Sequence, residues 1–191
     1  MNDDVPVLLI IDVQKGLAEP SLGQRNNPAA ERNMAALLAA WRERSWPAVF
    51  IRHNSIEADS FLRPGLPGND YNDEIRPLPG EVEFCKSTNS ALVGTGLEEF
   101  LRDRSFERLV IAGLTTDHCV SATTRSAADL GFDVTLVADA CAAFERQGYD
   151  GRHYSGEEIH RINIVSLEHE FCRVCQTDQL LGELNNDSTG E

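Results

Sequence analysis

The stretch Leu109-Val110-Ile111-Ala112, followed by Gly113-Leu114-Thr115-Thr116-Asp117-His118-Cys119-Val120, decides the fold of this chain. Its first four residues form a continuous apolar run, as expected of a strand that is buried on both faces of a parallel sheet. Residues 120–130 then predict a helix that stops at Gly131. Cys119 therefore lies at a strand-to-helix turn, in the first turn of the predicted helix.

The position of Cys119 allows two interpretations. Unpaired N–H groups and the helix dipole at a helix N-terminus favour an anion, which would lower the pKa of the Cys119 thiol and make it a candidate nucleophile. Alternatively, Cys119 is a buried structural thiol, which is the commonest fate of cysteine. This stretch alone does not decide between the two.

Two other apolar runs end in a charged residue. Asp12 follows Val7-Leu8-Leu9-Ile10-Ile11, and Lys86 follows Val82-Glu83-Phe84-Cys85. In an open parallel sheet, ligand sites form at the carboxyl ends of the strands, near the point where the strand order reverses. We therefore expect Asp12, Lys86 and Cys119 at one edge of the sheet. Taken singly, Asp12 could be a helix N-cap and Lys86 a solvated strand end.

Together, these three side chains predict a catalytic triad. A carboxylate near a thiol can take its proton and later return it to a leaving amine. A lysine beside both groups holds the carboxylate ionised and favours the thiolate. The set therefore predicts a cysteine nucleophile with a base and an electrostatic partner.

The order and spacing of these motifs resemble the isochorismatase-like cysteine hydrolases. That family has an aspartate after the first strand, a lysine after the third, and a cysteine in a Gly-x-x-Thr-x-x-Cys-Val turn, matched here by Asp12, Lys86 and residues 113–120. The match runs from about residue 5 to about residue 180. The resemblance implies an α/β fold of three layers, α/β/α, around a central, mostly parallel six-stranded sheet of the Rossmann-like kind.

The resemblance also implies a role for each site residue. Cys119 would attack an amide-like carbonyl, an amine or ammonia would leave, and water would hydrolyse the thioester, with Asp12 as base and then acid and Lys86 as its partner. The oxyanion donors would be the backbone N–H groups of Thr115 and Cys119, next to a cis peptide bond between Leu114 and Thr115. True isochorismatases lack the cysteine, so its presence favours hydrolysis of a C–N bond in a small amide or carbamoyl compound.

Three other interpretations remain open. On the same scaffold, the chain could be a vinyl-ether or ester-type hydrolase. It could also be a catalytically quiet binding protein, although a fold alone needs no charged pair at these strand ends. Finally, Cys119 could be a redox-sensing thiol, because thiols of low pKa oxidise readily.

We expect neither a metal nor another cofactor. The nicotinamidases of the resembling family carry an Asp-x-His pair with further histidines after the second strand. Here Ile51-Arg52-His53 lacks the aspartate, and no further histidine precedes His118. We therefore expect His53 to be a polar group at the strand end that, with Gln14, lines a substrate pocket. Adjacent helical residues diverge by about 100°, so a dyad of His118 with Cys119 is disfavoured.

One long irregular connection, residues 54–80, is rich in proline and glycine. Loops of this length in compact domains usually cover or line a binding site. This loop follows the second strand, so it can fold over the same sheet edge, and Phe61, Leu62 and Arg63 are its candidates for the pocket. Alternatively, it packs on a neighbouring subunit, since members of the resembling family usually assemble as dimers or tetramers.

Length and composition agree with one domain over residues 1–182, followed by a disordered acidic tail over residues 183–191. Seventeen basic and 31 acidic residues give a net charge of −14, which argues against nucleic acid or an anionic membrane as a partner. The expected partners are a small-molecule substrate and further copies of the chain in a homo-oligomer.

The sequence also predicts a cytoplasmic protein. No apolar stretch approaches the ~20 residues that a transmembrane helix needs, and Met1-Asn2-Asp3-Asp4 lacks a basic leader region. The five cysteines are odd in number and widely spread, which fits a reducing compartment.

Overall fold

The computed structural model describes residues 5–187 and has a six-stranded sheet in which every neighbouring pair of strands is parallel. The strands of this sheet are β1 (Val7–Ile11), β2 (Ala48–His53), β3 (Val82–Lys86), β4 (Arg108–Leu114), β5 (Asp133–Ala142) and β8 (Arg173–Cys175). Between β5 and β8, the strands β6 (Arg146–Gln147) and β7 (His153–Tyr154) form a separate hairpin. Their order is β3-β2-β1-β4-β5-β8, so the chain changes direction across the sheet between β1 and β4.

Helices cover both faces of the sheet and complete the three layers predicted from the sequence. They are α1 (Ala30–Glu43), α2 (Leu97–Asp103), α3 (Ser121–Asp129), α4 (Gly156–Leu167) and α5 (Thr177–Asp187). On one face, α1 and α5 pack against a cluster that contains Leu8 and Ile10. On the other face, α2, α3 and α4 pack against a cluster that contains Leu9 and Ile11. None of the helices in residues 5–187 is long and apolar enough to cross a membrane.

Strand β1 lies at the centre of both clusters. All five of its residues, Val7 to Ile11, have no exposed surface, as a continuous apolar run in a parallel sheet requires. Burial of each such side chain stabilises the fold by about 1.5–3 kcal/mol relative to exposure. The chain leaves this rigid strand at Asp12, so the position of Asp12 is fixed by the core of the protein.

The expected disorder of the tail is wrong for residues 183–187, which form the last turns of α5. Leu180 and Leu184, four residues apart on one helix face, are buried in the same cluster as α1. The polar composition of the tail concealed this apolar pair. The remainder of the expected tail, residues 188–191, lies outside the described residues.

Gly113 lies where β4 approaches β1 most closely. Its φ is +140°, and a Cβ atom at this position would lie 2.2 Å from the carbonyl oxygen and 2.7 Å from the nitrogen of Ile11. The pairing register of β4 with β5 also shifts between Ile111 and Gly113. Only glycine fits this backbone, which leads directly into the turn that carries Cys119.

We predict that Gly113→Ala destabilises the protein by at least about 2 kcal/mol, because the new Cβ would overlap the backbone of β1 at a φ that alanine disfavours. The free energy of unfolding can be measured by urea denaturation. Gly182→Ala is the matched control, because Gly182 lies in α5 with open space around it. That substitution should stabilise the helix by about 0.5–1 kcal/mol. Equal effects of the two substitutions would refute the steric argument.

Candidate active site

The structure brings the three predicted catalytic side chains together at the carboxyl edge of the sheet. Asp12 directly follows β1, Lys86 is the last residue of β3, and Cys119 lies in a π-helical turn, Thr116–Val120, between β4 and α3. The Nζ atom of Lys86 lies 2.6 Å from Oδ2 of Asp12 and 3.1 Å from Sγ of Cys119. The site therefore forms at the point where the strand order reverses, as expected for an open parallel sheet.

The Lys86 ammonium has no exposed side-chain surface and is surrounded by acceptors. Besides Asp12 and Cys119, Nζ contacts Nδ1 of His53 at 3.1 Å and the carbonyl oxygen of Thr88 at 3.2 Å. An ammonium group has three N–H donors, so these four acceptors use its full capacity. Burial and the nearby Lys86 charge lower the pKa of His53 to about 4, so the His53 ring is neutral and its Nδ1 accepts from Lys86.

Asp12 retains one carboxylate oxygen for proton transfer. Its Oδ2 accepts from Lys86, whereas the buried Oδ1 has no hydrogen-bond donor among the described residues. A carboxylate oxygen of Asp12 and Sγ of Cys119 lie within 4.8 Å of each other. Asp12 has a φ of 52°, a conformation that aspartate and asparagine tolerate better than most residues. The arrangement leaves Oδ1 available to accept the thiol proton.

The surroundings of Cys119 favour its protonated thiol over the thiolate. Burial and the Asp12 carboxylate raise the pKa of Cys119 to about 12, and the Lys86 ammonium only partly opposes this rise. Burial also raises the pKa of Asp12, again against the effect of Lys86. One ammonium balances one negative charge, so ionising both Asp12 and Cys119 would leave an uncompensated buried anion.

The expectation that the helix terminus and Lys86 lower the pKa of the Cys119 thiol is therefore wrong for the resting protein. Burial and the neighbouring Asp12 charge outweigh the effect of Lys86. A redox-sensing role for Cys119 requires a thiolate at neutral pH, which burial and the Asp12 charge disfavour.

The turn that carries Cys119 is held by hydrogen bonds on both sides. The Thr115 carbonyl accepts from the backbone N–H groups of His118 and Val120. Beneath the turn, Oγ1 of Thr116 lies 2.8 Å from Nδ1 of the buried His160 in α4. These contacts fix where Cys119 stands relative to the end of β4.

The peptide bond between Leu114 and Thr115 is cis, at the position expected from the sequence. Both residues line the cavity next to Cys119. The assignment of the Thr115 and Cys119 N–H groups as oxyanion donors stays a prediction.

A cavity of about 470 Å³ opens above the catalytic residues. Of the pocket residues predicted from the sequence, His53 and Leu62 line this cavity. Sequence reasoning missed several other lining residues, which come from separate loops and follow no motif. They include Leu17, Leu22, Asn89, His118, Phe144 and Arg146.

The predictions that Phe61, Arg63 and Gln14 line the catalytic cavity are wrong. Only Leu62 of the three consecutive loop residues faces the cavity, because the irregular chain directs its neighbours elsewhere. Phe61 lies against Gly16, and the exposed Arg63 donates to the carbonyl oxygen of Ala58.

Gln14 has a positioning role instead, because its buried side chain fastens the long loop to the end of β2. Its Nε2 donates to the carbonyl oxygens of His53 and Asn69, and its Oε1 accepts from the His53 N–H at 2.8 Å. The Asn69 side chain donates in turn to the carbonyl oxygens of His53 and Leu62. This network of amides holds both His53 and Leu62 at the cavity.

Asp12, His53 and Cys119 have donor atoms of the types that bind metals, all within 4.8 Å of one another. However, the Lys86 ammonium lies 2.6–3.1 Å from an atom of each of them. A divalent cation bound by these three residues would lie against that buried positive charge. The residues therefore do not fit a metal site.

His118 is not bonded to Cys119. Its ring lies 3.4 Å from Oδ2 of Asp117 and is about half exposed. Arg146, which also lines the cavity, contacts the same oxygen of Asp117. The histidine beside the nucleophile therefore belongs to the wall of the cavity, as the divergence of adjacent side chains predicts.

Comparison with known proteins identifies the relatives of this chain. A model of the isochorismatase domain matches residues 6–179. The isochorismatase family protein YrdC of Bacillus subtilis is 39% identical over 181 residues, which cover 95% of this chain and 97% of YrdC. A crystal structure of an isochorismatase-family protein from Chromobacterium violaceum superposes with a TM-score of 0.93 at 45% identity, covering 97% of this chain and 96% of that one.

More distant relatives have names that state an activity. Nicotinamidase 3 of Arabidopsis thaliana is 26% identical over 94% of this chain and 88% of its own length. Ureidoacrylate amidohydrolase RutB of Cronobacter turicensis is 26% identical over 63% of this chain and 60% of its own length.

We predict that Asp12→Asn lowers the pH at which Cys119 becomes reactive. The substitution removes the anion that disfavours the thiolate, while Lys86 remains and asparagine accepts the same backbone conformation. The midpoint of Cys119 alkylation by iodoacetamide should fall by at least about one pH unit. Mass spectrometry of the Cys119 peptide measures it, with the exposed Cys85 as an internal reference. An unchanged or higher midpoint would show that the Asp12 charge does not keep the proton on Cys119.

We also predict that Gln14→Ala destabilises the protein by about 1–3 kcal/mol, since the backbone N–H of His53 and the carbonyl oxygen of the buried Asn69 lose their Gln14 partners. Thermal unfolding and limited proteolysis of residues 54–69 report the effect. Gln179→Ala is the control, because Gln179 is exposed on α5 and its amide contacts only Glu183. If both variants behave alike, Gln14 does not hold the loop.

Proposed function

Because the chain belongs to the isochorismatase family of hydrolases, we propose that it is a cysteine hydrolase that cleaves the C–N bond of a small amide or carbamoyl compound. The observation that carries this proposal is the buried contact of Lys86 with both Asp12 and Cys119. In this proposal Cys119 is the protonated thiol, Asp12 is the base with a free oxygen, and Lys86 is the compensating cation. The amide-hydrolase names of two relatives support the same class of reaction.

In the first step, Sγ of Cys119 attacks the carbonyl carbon as Oδ1 of Asp12 takes the thiol proton. The electron pair of the C=O bond moves to the carbonyl oxygen, so negative charge passes from Asp12 to the oxyanion. Because proton transfer accompanies attack, a free thiolate beside a charged Asp12 need not accumulate. The backbone N–H groups of Thr115 and Cys119 are the proposed donors to the oxyanion.

In the second step, the tetrahedral intermediate collapses and its C–N bond breaks. Asp12, now protonated, gives its proton to the leaving nitrogen, which departs as ammonia or an amine. Because burial raises the pKa of Asp12, its carboxyl group can keep this proton until the proton is transferred to the leaving nitrogen. The acyl group remains on Cys119 as a thioester.

In the third step, water hydrolyses the thioester. Asp12 takes a proton from the attacking water, the C–S bond breaks, and the sulfur leaves as the Cys119 thiol after the proton returns to it. The acid product departs, and the site regains its starting distribution of one proton between Asp12 and Cys119. Lys86 keeps its charge throughout and balances the single negative charge wherever that charge lies.

We predict that Cys119→Ser lowers kcat/KM for ammonia release from a panel of small amides and carbamoyl compounds by at least about 10³-fold, because the hydroxyl is a far weaker nucleophile. Acid quenching of the wild-type reaction, followed by mass spectrometry, should show an acyl group on the Cys119 peptide. Cys85→Ser is the matched control and should leave the rate unchanged, since Cys85 is exposed outside the cavity.

Two results would reject this function. Ammonia release that survives Cys119→Ser would exclude the cysteine mechanism. Hydrolysis of esters to acid and alcohol, with no ammonia release from amides, would instead support the ester-type hydrolase on the same scaffold.

A further inference from the structure

Arg146 is the one lysine or arginine among the described residues that line the catalytic cavity. Lys86 lies beneath the cavity, fully buried and surrounded by its four acceptors. The Arg146 side chain is 38% exposed, so its charge is accessible to a bound molecule. We propose that Arg146 binds a carboxylate of the substrate, and that the substrate is therefore an anionic monoamide. This inference rests on the proposed function and names its substrate class.

The Arg146 guanidinium is anchored to the turn that carries the nucleophile. Its Nε donates to Oδ2 of Asp117 at 2.8 Å, and its Nη2 lies 2.8 Å from the same oxygen. The Asp117 side chain is only 8% exposed, and Asp117 precedes Cys119 by two residues. The contact therefore fixes the guanidinium relative to Sγ of Cys119.

The contact with Asp117 leaves part of the guanidinium free. The group has five N–H donors, and Asp117 engages only its Nε and Nη2 side. Nη1 of Arg146 makes no hydrogen bond within the described part of the chain, residues 5–187. A guanidinium whose orientation is already set, with donors to spare, is well suited to bind a carboxylate.

The remainder of the cavity wall indicates what lies between the amide and the carboxylate. Leu17, Leu22, Leu62 and Phe144 form its apolar part, whereas the exposed Glu57 is an acidic residue of the wall. The apolar part favours a short hydrocarbon spacer. The substrate class is thus a half-amide of a short dicarboxylic acid, with its amide at Cys119 and its carboxylate at Arg146.

Protection of Cys119 from alkylation tests this binding without requiring turnover. Succinate and the neutral succinamide are the two probes, and iodoacetamide is the reagent. In the wild type, succinate should protect Cys119 at a lower concentration than succinamide. Arg146→Gln should raise the succinate concentration that gives half protection by about 10- to 100-fold, and Arg146→Lys should raise it less.

Arg152→Gln is the matched control, because it removes the same charge from an exposed arginine that pairs with Glu158 outside the cavity. In Arg152→Gln, succinate should protect Cys119 at the same concentration as in the wild type. The rate of Cys119 alkylation without a probe, together with thermal unfolding, checks that each variant retains an intact site. If Arg146→Gln fails that check, Arg146→Lys and the wild type still decide the outcome.

Two results would overturn the carboxylate site: equal protection by succinate and succinamide in the wild type, or protection by succinate that Arg146→Gln leaves unchanged. Either result leaves the cysteine mechanism standing if neutral amides release ammonia through Cys119. Conversely, protection through Arg146 without hydrolysis of any amide would support the carboxylate site and reject the proposed reaction.

Discussion

The chemistry of this site depends on the buried ammonium of Lys86, which contacts Asp12, Cys119 and His53 at 2.6–3.1 Å. A single cation in a water-poor site stabilises a single negative charge. In the proposed mechanism Asp12 carries that charge at rest, and Cys119 keeps its proton until a substrate carbonyl can receive the charge. The same ammonium would repel a metal ion bound by these residues, so their arrangement does not fit one.

The fold places these groups through its strand order. β1 and β4 are neighbours at the point where the order reverses, and β3 reaches the same edge through β2. The approach of β4 to β1 at Gly113 brings the turn with Cys119 over the end of β1, where Asp12 lies. The close packing of the β4 backbone against β1 therefore determines how Asp12 and Cys119 lie relative to each other at the carboxyl edge of the sheet. The long loop adds Leu62 and secures His53 through the buried amides of Gln14 and Asn69.

Much of this arrangement follows from the sequence, because apolar runs mark the buried strands and a charged residue or turn motif marks the end of three of them. The pKa of Cys119 does not follow, since it depends on how close the Asp12 carboxylate lies and how little water reaches both groups. The pocket residues were also only partly predictable. Periodicity does not specify which side chain of an irregular loop faces inward, and Arg146 lies in a two-residue strand without a recognisable pattern.

The most direct test is a ¹³C NMR titration of the wild-type protein, with labels in the Asp12 carboxyl and the Cys119 Cβ. The signals are assigned with the Asp12→Asn and Cys119→Ser variants. The account predicts that at neutral pH Asp12 shows the shift of a carboxylate and Cys119 that of a thiol, so that the pair holds one proton. A thiolate shift for Cys119 at neutral pH would contradict the account, because Lys86 would then stabilise the sulfur anion at rest.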